Sequence, residues 1–175
     1  MIINASPLII FGKLNKLELL KKVLKNLIIS DAVYREVVIS GIELNAKESF
    51  IIKDYIEKEE IKIKKLTEEW KEKANFFQKV YTQLDMGEAE TIALALQERE
   101  KTVLIDEKVA RKIAELQGLK ALGSLWVLLT AFKKNIIIED DIKQLINKMT
   151  SLDFRVGGDI ITEFWGLFEK LKKKK

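Results

Sequence analysis

Short apolar runs alternate along this chain with longer segments in which apolar side chains recur every three or four positions. The runs at 1–4, 27–29, 102–105 and 119–122 are too short for helices, whereas 87–99 has the period of a buried-face helix. Strands that alternate with helices are typical of a parallel sheet with both faces covered. The pattern therefore predicts an α/β protein.

Turn and capping residues predict where the helices begin. Ser6–Pro7 reads as an N-cap followed by proline at the first helical position, and Ser30–Asp31 caps a helix through Val38. Asp85 and Glu88 have the spacing of a capping box. A helix is also predicted to begin at Asp106, and the apolar segment after Gly123 is predicted to be another.

The stretch from 43 to 84 is more charged than its surroundings and is predicted to be a helical insert. Within it, 48–60 favours a helix, the alternating segment 61–66 favours an edge strand because of its lysines, and a further helix begins at Thr67. The last part of the chain predicts two more helices, a C-terminal extension at about 139–171. We expect a single domain over 1–175.

Composition narrows the class of protein. Hydrophobic residues make up 47% of the 175 positions, enough for a core, and no apolar run has the length of a membrane span. The first ten residues lack the basic flank of a signal peptide and cysteine is absent, so we expect a cytoplasmic protein that does not enter a membrane. Abundant lysine and glutamate favour a hyperthermophilic source.

Charge alone says little about the partners of the chain. The net charge is +4, and part of the excess is the run Lys172–Lys175, which we interpret as a solvated end. Such a charge permits binding to a polyanion without requiring it. Trp126 and Trp165 favour core or subunit contacts, so a homodimer is one expected partner arrangement.

The chain contains no histidine and no cysteine, which excludes imidazole acid–base chemistry and thiol nucleophiles. A hydrolytic site would have to consist of oxygen donors, which suit Mg²⁺ or Mn²⁺. In open parallel sheets, ligands bind beyond the carboxyl ends of the strands. Residues with side-chain oxygens stand at or near the ends of the predicted elements, and we expect several of them to converge: Asn4, Glu36, Glu88, Asp106 and Glu107.

Each candidate also has a purely structural interpretation. Glu88 completes a capping box, and Asp106 and Glu107 are acids that a helix dipole favours in a first turn. Ser6 is better explained as an N-cap than as a nucleophile, because no base is present to activate it. Glu36 is harder to explain in this way, since a helical wheel places it on a largely apolar surface, where a carboxylate needs a partner or a metal.

Five segments in this order resemble a family of PIN-like domains related to VapC-type toxins. The resemblance extends from about Met1 to Phe154, and its most specific part is the combination of the third and fourth segments. The segments are NASPLI, VYREV, LDMGEAETIALAL, VLIDEKVARKIAELQGL and GSLWVLLTAFKKNII.

The resemblance implies a three-layer α/β/α sandwich and a Mg²⁺- or Mn²⁺-dependent ribonuclease that leaves a 5′-phosphate. By motif, the four family acids fall on Asn4, Glu36, Glu88 and Asp106, with Glu107 able to share the fourth role and Ser6 at the small hydroxyl position. Asn4 departs from the pattern, because its amide oxygen can bind a metal but carries no charge.

Two hypotheses follow for the function. The first is a metal-dependent endoribonuclease in which Glu36, Glu88 and Asp106 are catalytic, with RNA as substrate and, if the chain is a toxin, an antitoxin protein as partner. Ser6, Lys108 and Arg111 would then bind the substrate, the two basic residues through its phosphates, although surface salt pairs explain Lys108 and Arg111 more simply. The alternative is a catalytically degenerate PIN-like interaction or regulatory module, which the asparagine at the first acid position favours.

Overall fold

The structure, a computed structural model, describes residues 1–152, 154 and 158–173. Within these residues, five short parallel strands form one sheet in the order β3-β2-β1-β4-β5. The predicted strands at the start of the chain and around 28, 103 and 121 are all present. The strands are β1 (Ile2–Ile3), β2 (Leu27–Ile29), β3 (Ile61–Ile63), β4 (Thr102–Leu104) and β5 (Lys120–Leu122).

Helices connect the strands and make up most of the remaining described residues. Before β3 they are α1 (Ala5–Lys13), α2 (Leu17–Leu24), α3 (Asp31–Tyr34), a π-helical segment (Arg35–Ser40), α4 (Gly41–Glu43) and α5 (Lys47–Glu57). After β3 they are α6 (Glu68–Val80), α7 (Met86–Gln97), α8 (Lys108–Leu116), α9 (Ser124–Lys133), α10 (Glu139–Ser151) and α11 (Gly158–Lys172).

Paired strand positions share one face of the sheet. Ile2 pairs with Ile28 and with Val103, and Val103 pairs with Ala121. Ile2, Val103 and Ala121 lie in a hydrophobic cluster together with residues of α6, α7 and α8, and Ile28 packs against it. The apolar side chains at these positions therefore bind the sheet to one layer of helices.

The intervening strand positions form the opposite face, and they are buried as well. Ile3, Leu104, Ile29 and Ile61 are each at most 1% exposed, so β1, β2 and β4 carry buried apolar residues on both faces, whereas the edge strand β3 alternates around the exposed Lys62. On this side α5 contacts β3 and α1, and α1 contacts α2. The predicted α/β fold with a parallel sheet between layers of helices is confirmed.

Two of the predicted capping arrangements are confirmed. The Ser30 hydroxyl accepts a hydrogen bond from the Val33 N–H at 3.3 Å, and Asp85 and Glu88 form the complete capping box of α7. Both arrangements satisfy N–H groups that a helix leaves free in its first turn.

Two other helix starts differ from the prediction. The first helix begins at Ala5 with Asn4 at its N-cap, so the interpretation of Ser6 as the N-cap is wrong. Pro7 is tolerated there because first-turn N–H groups lack helical partners in any case. After β4, the helix begins at Lys108 with Glu107 at its N-cap, so Asp106 lies in the connection and not in the helix.

The helix that carries Glu36 is interrupted by a π-helical segment. The N–H of Gly41 donates to the carbonyl of Glu36, five residues earlier. This wider turn shifts the angular positions that an ordinary helical wheel assigns. Glu36 is exposed, whereas the helical wheel places it on a largely apolar surface.

The charged stretch from 43 to 84 contributes to the sheet. It contains α5, the edge strand β3 and α6, and β3 pairs in parallel with β2 as the lysine-rich pattern predicts. Since α6 packs against α7, part of this stretch also extends one helical layer.

The chain separates into two compact units, Met1–Ser124 and Leu125–Lys175. The first contains the sheet. In the second, Phe132 and Phe168 have ring centroids 4.8 Å apart, Trp165 lies edge-on to Phe168, and Lys172 forms an ion pair with Glu139 at 2.8 Å. The single domain over 1–175 stays a prediction.

The predicted solvated end extends past the part that the structure describes, since 174 and 175 lie outside it. Over the described residues, none of the helices combines the length and the apolar character that crossing a bilayer requires.

Candidate active site

The first candidate, Asn4, stands at the carboxyl end of the sheet, where two neighbouring strands finish. Its backbone N–H donates to the carbonyl of Leu104 at 2.9 Å, which holds the ends of β1 and β4 side by side. Asn4 is only 2% exposed and its side chain makes no capping bond to α1. Its Oδ1 accepts a hydrogen bond from the Thr91 hydroxyl at 3.4 Å and keeps a further lone pair for the site. The acids Asp106 and Glu107 follow β4 closely at the same edge.

Gly87 lies at the point where three side-chain oxygens converge. A Cβ atom at this glycine would lie 3.0 Å from Glu36 Oε2, 3.3 Å from Asp85 Oδ1 and 3.6 Å from Asn4 Oδ1. The glycine therefore leaves room for oxygens from β1, the π-helical segment and the start of α7. Three separate stretches of chain thus contribute donors to one small volume.

Glu88 is the most deeply buried carboxylate of the group, at 4% exposure. Its Oε2 accepts from the Asp85 N–H at 3.0 Å, while its own N–H donates to Asp85 Oδ1 at 2.7 Å. Burial raises the pKa of Glu88 to about 7, and the charges of Asp85, Glu107 and Glu36 act in the same direction against the hydrogen bond from the Asp85 backbone. Glu88 therefore both caps a helix and belongs to an acidic cluster.

The pKa of Glu36 is raised in a similar way. Desolvation of its carboxylate raises the pKa of Glu36 to about 7, with further contributions from the charges of Asp85 and Glu107. Because Glu36 remains exposed as a residue, solvent screens part of this repulsion. The negative charges of Asp85 and Glu107 therefore lie near enough to Glu36 to disfavour its ionisation.

Glu107 has one satisfied and one unsatisfied carboxylate oxygen. Oε1 accepts a hydrogen bond from the Ser6 hydroxyl. Oε2 is buried and makes no hydrogen bond with any described residue. A buried charged oxygen without a partner is rare in folded proteins and requires an explanation, such as a bound ion. Glu107 also contributes to the raised pKa values of both Glu36 and Glu88.

Asp106 is held by Ser124, which is fully buried. Its Oδ1 accepts from the Ser124 N–H at 2.7 Å, and its Oδ2 accepts from the Ser124 hydroxyl at 2.6 Å. Burial raises the pKa of Asp106 to about 6 and Glu107 adds to this, although the Ser124 bonds and the charge of Arg111 oppose the shift. Each oxygen retains a further lone pair, so a ligand role is not lost.

Gly123 and Arg111 lie next to Asp106. A Cβ atom at Gly123 would lie 3.0 Å from Asp106 Oδ1 and 3.6 Å from Arg111 Nη1, so glycine permits the close approach. Arg111 Nη2 also donates to the carbonyl of Ala121 at 3.4 Å. The guanidinium is therefore partly committed to the protein, whereas Lys108 is exposed.

The structure brings most of the predicted residues together and adds two. Asn4, Glu36, Glu88 and Glu107 face a common region, and Asp106 adjoins it through Glu107. Sequence reasoning treated Asp85 as a cap only, although an acid three positions before Glu88 was a usable signal. Ser124 was seen only as a helix start, because its bond to Asp106 spans 18 positions. We call this group of residues the acidic cluster; it comprises Asn4, Glu36, Asp85, Glu88, Asp106 and Glu107.

The chemistry of these donors fits a hard divalent cation, since all are carboxylate or amide oxygens. The Glu107 oxygen that has no partner among the described residues agrees with that fit, and so does the burial, together with the charges of Asp85 and Glu107, that raises the pKa values of Glu36 and Glu88. Across residues 1–152, 154 and 158–173, however, no three carboxylates are arranged so that they could hold a metal ion as they stand. The donor atoms are therefore of the types that bind a divalent cation, but the carboxylates are not spaced as they would be around a bound one.

Comparison with known proteins agrees with this fold. The model of the family DUF3368, described as a PIN domain, matches residues 1–170. The match confirms the predicted family and extends beyond the 154 residues that the sequence motifs covered. No curated protein and no solved structure matches the chain significantly. PIN domains in general suggest nuclease-type function and dependence on divalent metals, and this chain belongs to the PIN domain family.

Proposed function

We propose that the chain is a Mg²⁺- or Mn²⁺-dependent endoribonuclease that hydrolyses RNA phosphodiesters at the acidic cluster. The observation that carries this proposal is the convergence of Glu36, Asp85 and Asn4 oxygens within 3.6 Å of one point beside Gly87. Family membership supports nuclease chemistry in general, and the preference for RNA rests on the resemblance to VapC-type relatives.

In this proposal Glu36, Glu88 and Glu107 hold the cation, with Asn4 as a neutral donor and Asp106 as a further ligand. When bound, such a cation lowers the pKa of a water molecule and neutralises charge at the phosphate. Among the sequence-based candidates, Glu107 has the strongest support as a ligand, because one of its oxygens is buried without a partner among the described residues. The Ser6 hydroxyl fixes the other oxygen and so sets the orientation of this carboxylate.

In the metal-free protein the pKa values of Glu36 and Glu88 are about 7, so both carboxyls exchange protons near neutral pH. A bound cation would lower these pKa values, because it favours the ionised form of a carboxylate. Glu36 is the more accessible ligand of the two, since it is exposed while Glu88 is buried and bound to its own helix start. Lys108, also exposed, is the proposed contact for a flanking phosphate, with Arg111 as the second.

The direct test is cleavage of labelled single-stranded and structured RNA in Mn²⁺, Mg²⁺ or EDTA. The native chain is compared with Glu88→Gln and Glu107→Gln, and Glu115→Gln on the exposed side of α8 is the matched control. We expect metal-dependent cleavage that both cluster variants reduce by at least about 100-fold, as loss of a group that stabilises the transition state does. Equal cleavage by the cluster variants and the control would contradict the proposed site.

Asp106→Asn, in the same cleavage assay, distinguishes the roles of the two acids that follow β4, Asp106 and Glu107. A larger loss for Asp106→Asn than for Glu107→Gln would assign the ligand role to Asp106 in spite of its two bonds to Ser124. The opposite order would support Glu107 as the principal acid.

The alternative function is a catalytically degenerate PIN domain that serves as an interaction or regulatory module. Asn4 at the first acid position favours it, as does the lack of a preformed three-carboxylate site among the described residues. Thermal unfolding with and without Mn²⁺ distinguishes the two, because a ligand that binds only the folded state raises the unfolding temperature. No shift at millimolar Mn²⁺, together with no cleavage, would support the degenerate module.

A toxin role is a narrower form of the nuclease proposal. It predicts growth arrest on expression of the native chain and normal growth with Glu88→Gln at the same protein level. An adjacent reading frame that relieves the arrest would identify an antitoxin partner. Equal growth with both proteins would argue for a nuclease without toxin activity, or for the degenerate module. The cytoplasmic location and the hyperthermophilic source stay predictions from composition.

A further inference from the structure

The second unit contains a groove that the nuclease proposal does not use. Its helices α9 and α11 pack together through Phe132 and Phe168, whose ring centroids are 4.8 Å apart. Beside this contact the two helices line a cavity of about 580 Å³. A groove between two packed helices has the shape that accepts a third helix.

The floor of the groove is apolar and is built from one side of each helix. Trp126 and Leu129 come from α9, and Leu167 and Leu171 come from α11. In both pairs the spacing is three or four residues, which places the two side chains on the same helix face. Leu167 is 43% exposed, an unusual amount for a large aliphatic side chain in a cavity wall.

The rim of the groove is basic. Lys133 and Lys134 line it at the end of α9, and Lys170 lines it on α11, while none of the described lining residues is a carboxylate. Two copies of this groove would bring their lysines together, so the charges oppose self-association through it. The pattern instead complements a surface with apolar side chains in the centre and acids at the edges.

We propose that this groove docks an acidic amphipathic helix of a partner protein. Such a helix would place leucine-type side chains on the floor and glutamate or aspartate side chains next to the lysines, which is the helix-in-groove mode of recognition. Single-stranded RNA is less well matched, because three of the four floor residues are leucines and only Trp126 offers a surface for base stacking. The proposal stands independently of the nuclease proposal.

Binding is tested with the full chain and three fluorescein-labelled helical peptides that share one leucine face. Their flanking positions carry glutamate, glutamine or lysine. By fluorescence anisotropy we expect the glutamate peptide to bind at least about tenfold more tightly than the lysine peptide, since three exposed ion pairs each contribute a small factor. Added salt should reduce this preference. Equal affinities, or no binding of the glutamate peptide at millimolar concentration, would overturn the proposal.

Variants place the binding in the groove. The double change Lys133→Glu with Lys170→Glu should reverse the preference in favour of the lysine peptide. Its matched control, Lys22→Glu with Lys47→Glu, alters the net charge equally on exposed residues of the first unit and should leave the preference unchanged. A loss of preference in the control as well would mean that net charge, and not the groove, selects the peptide.

A second pair of variants tests the apolar floor. Leu167→Ser should weaken binding of the glutamate peptide by about tenfold, because an apolar contact is lost. Leu116→Ser, at an α8 residue that is 65% exposed, is the control and should have no effect. If labelled single-stranded RNA binds in place of the peptide, and Lys133→Glu with Lys170→Glu abolishes that binding, the groove is an RNA site and the peptide proposal fails.

Discussion

Replacing Glu88 with glutamine is expected to make the metal-free protein more stable, and increasingly so as the pH rises. Glutamine keeps the shape of the side chain and an oxygen that can accept the Asp85 N–H, which Glu88 Oε2 accepts at 3.0 Å. It removes a carboxylate that is only 4% exposed and lies among other acids. The substitution therefore isolates the cost of the charge from the cost of packing.

The size of the effect follows from proton linkage. Burial raises the pKa of Glu88 from an ordinary 4.5 to about 7, so between these values the folded state holds a proton that the unfolded state has lost. Stability then falls as pH rises through that window, because ionisation is harder in the fold. At 1.36 kcal/mol per pKa unit, the raised pKa of Glu88 lowers the free energy of unfolding by about 1 kcal/mol at pH 5 and about 3 kcal/mol at pH 8. Movement of neighbouring side chains would lower these values.

Thermal unfolding in EDTA at pH 5 and pH 8, followed by circular dichroism, measures the difference. For a chain of this size, about 2 kcal/mol of added advantage corresponds to about 4–8 °C in the unfolding temperature. Glu115→Gln controls for a change in net charge at an exposed position. If Glu88→Gln does not raise the unfolding temperature, or raises it equally at the two pH values, burial does not disfavour ionisation of Glu88 and the reasoning is refuted.

Three further substitutions probe the same edge of the sheet. Asn4→Asp adds a charge at a site that is 2% exposed, so we expect lower stability in EDTA but tighter Mn²⁺ binding and higher ribonuclease activity; unchanged calorimetric affinity and activity would remove Asn4 from the site. Gly87→Ala places a methyl group 3.0 Å from a Glu36 oxygen, so we expect weaker Mn²⁺ binding and a stability loss of about 1–3 kcal/mol by denaturant titration. Ser124→Ala removes the hydroxyl hydrogen bond to Asp106 Oδ2 and keeps the backbone N–H bond to Oδ1, so we expect a loss of about 1–3 kcal/mol and a higher Asp106 pKa by NMR titration, whereas an unchanged pKa would contradict this role.

The nature of the fold was predictable because it depends on local patterns that tertiary contacts reinforce. Short apolar runs became strands buried on both faces, and the Asp85–Glu88 spacing became a complete capping box. The start of α1 was mispredicted by two positions, since Ser6–Pro7 is a strong local signal for an N-cap. Asn4 occupies that position instead, where its N–H bonds to the neighbouring strand β4.

The orientation of Glu36 was not predictable from its neighbours in sequence. A helical wheel assumes 3.6 residues per turn, and the π-helical segment at Arg35–Ser40 breaks that assumption. Glu36 is exposed as a result, and its role in the site stays a prediction. A hydrogen bond between Gly41 and the Glu36 carbonyl defines this turn, and no sequence motif used for the prediction encodes it.

By itself, the sequence determined the kind of protein and the kind of chemistry. The alternation of strands and helices specified a parallel sheet, and the absence of histidine and cysteine restricted any hydrolytic site to oxygen donors. Both conclusions rest on the identity and spacing of nearby residues, which the chain carries in any conformation. The resemblance to the family motifs indicated which acidic residues were candidates for that site.

Only the tertiary structure decided what each oxygen faces. It pairs Asp106 with Ser124 across 18 positions and Ser6 with Glu107 across 101, and it leaves one Glu107 oxygen buried without a partner. It also brings Asp85 and Glu36 to the same point beside Gly87. Distances between residues far apart in sequence depend on how strands and helices pack, so burial, charge repulsion and shifted pKa values arise only once the chain has folded.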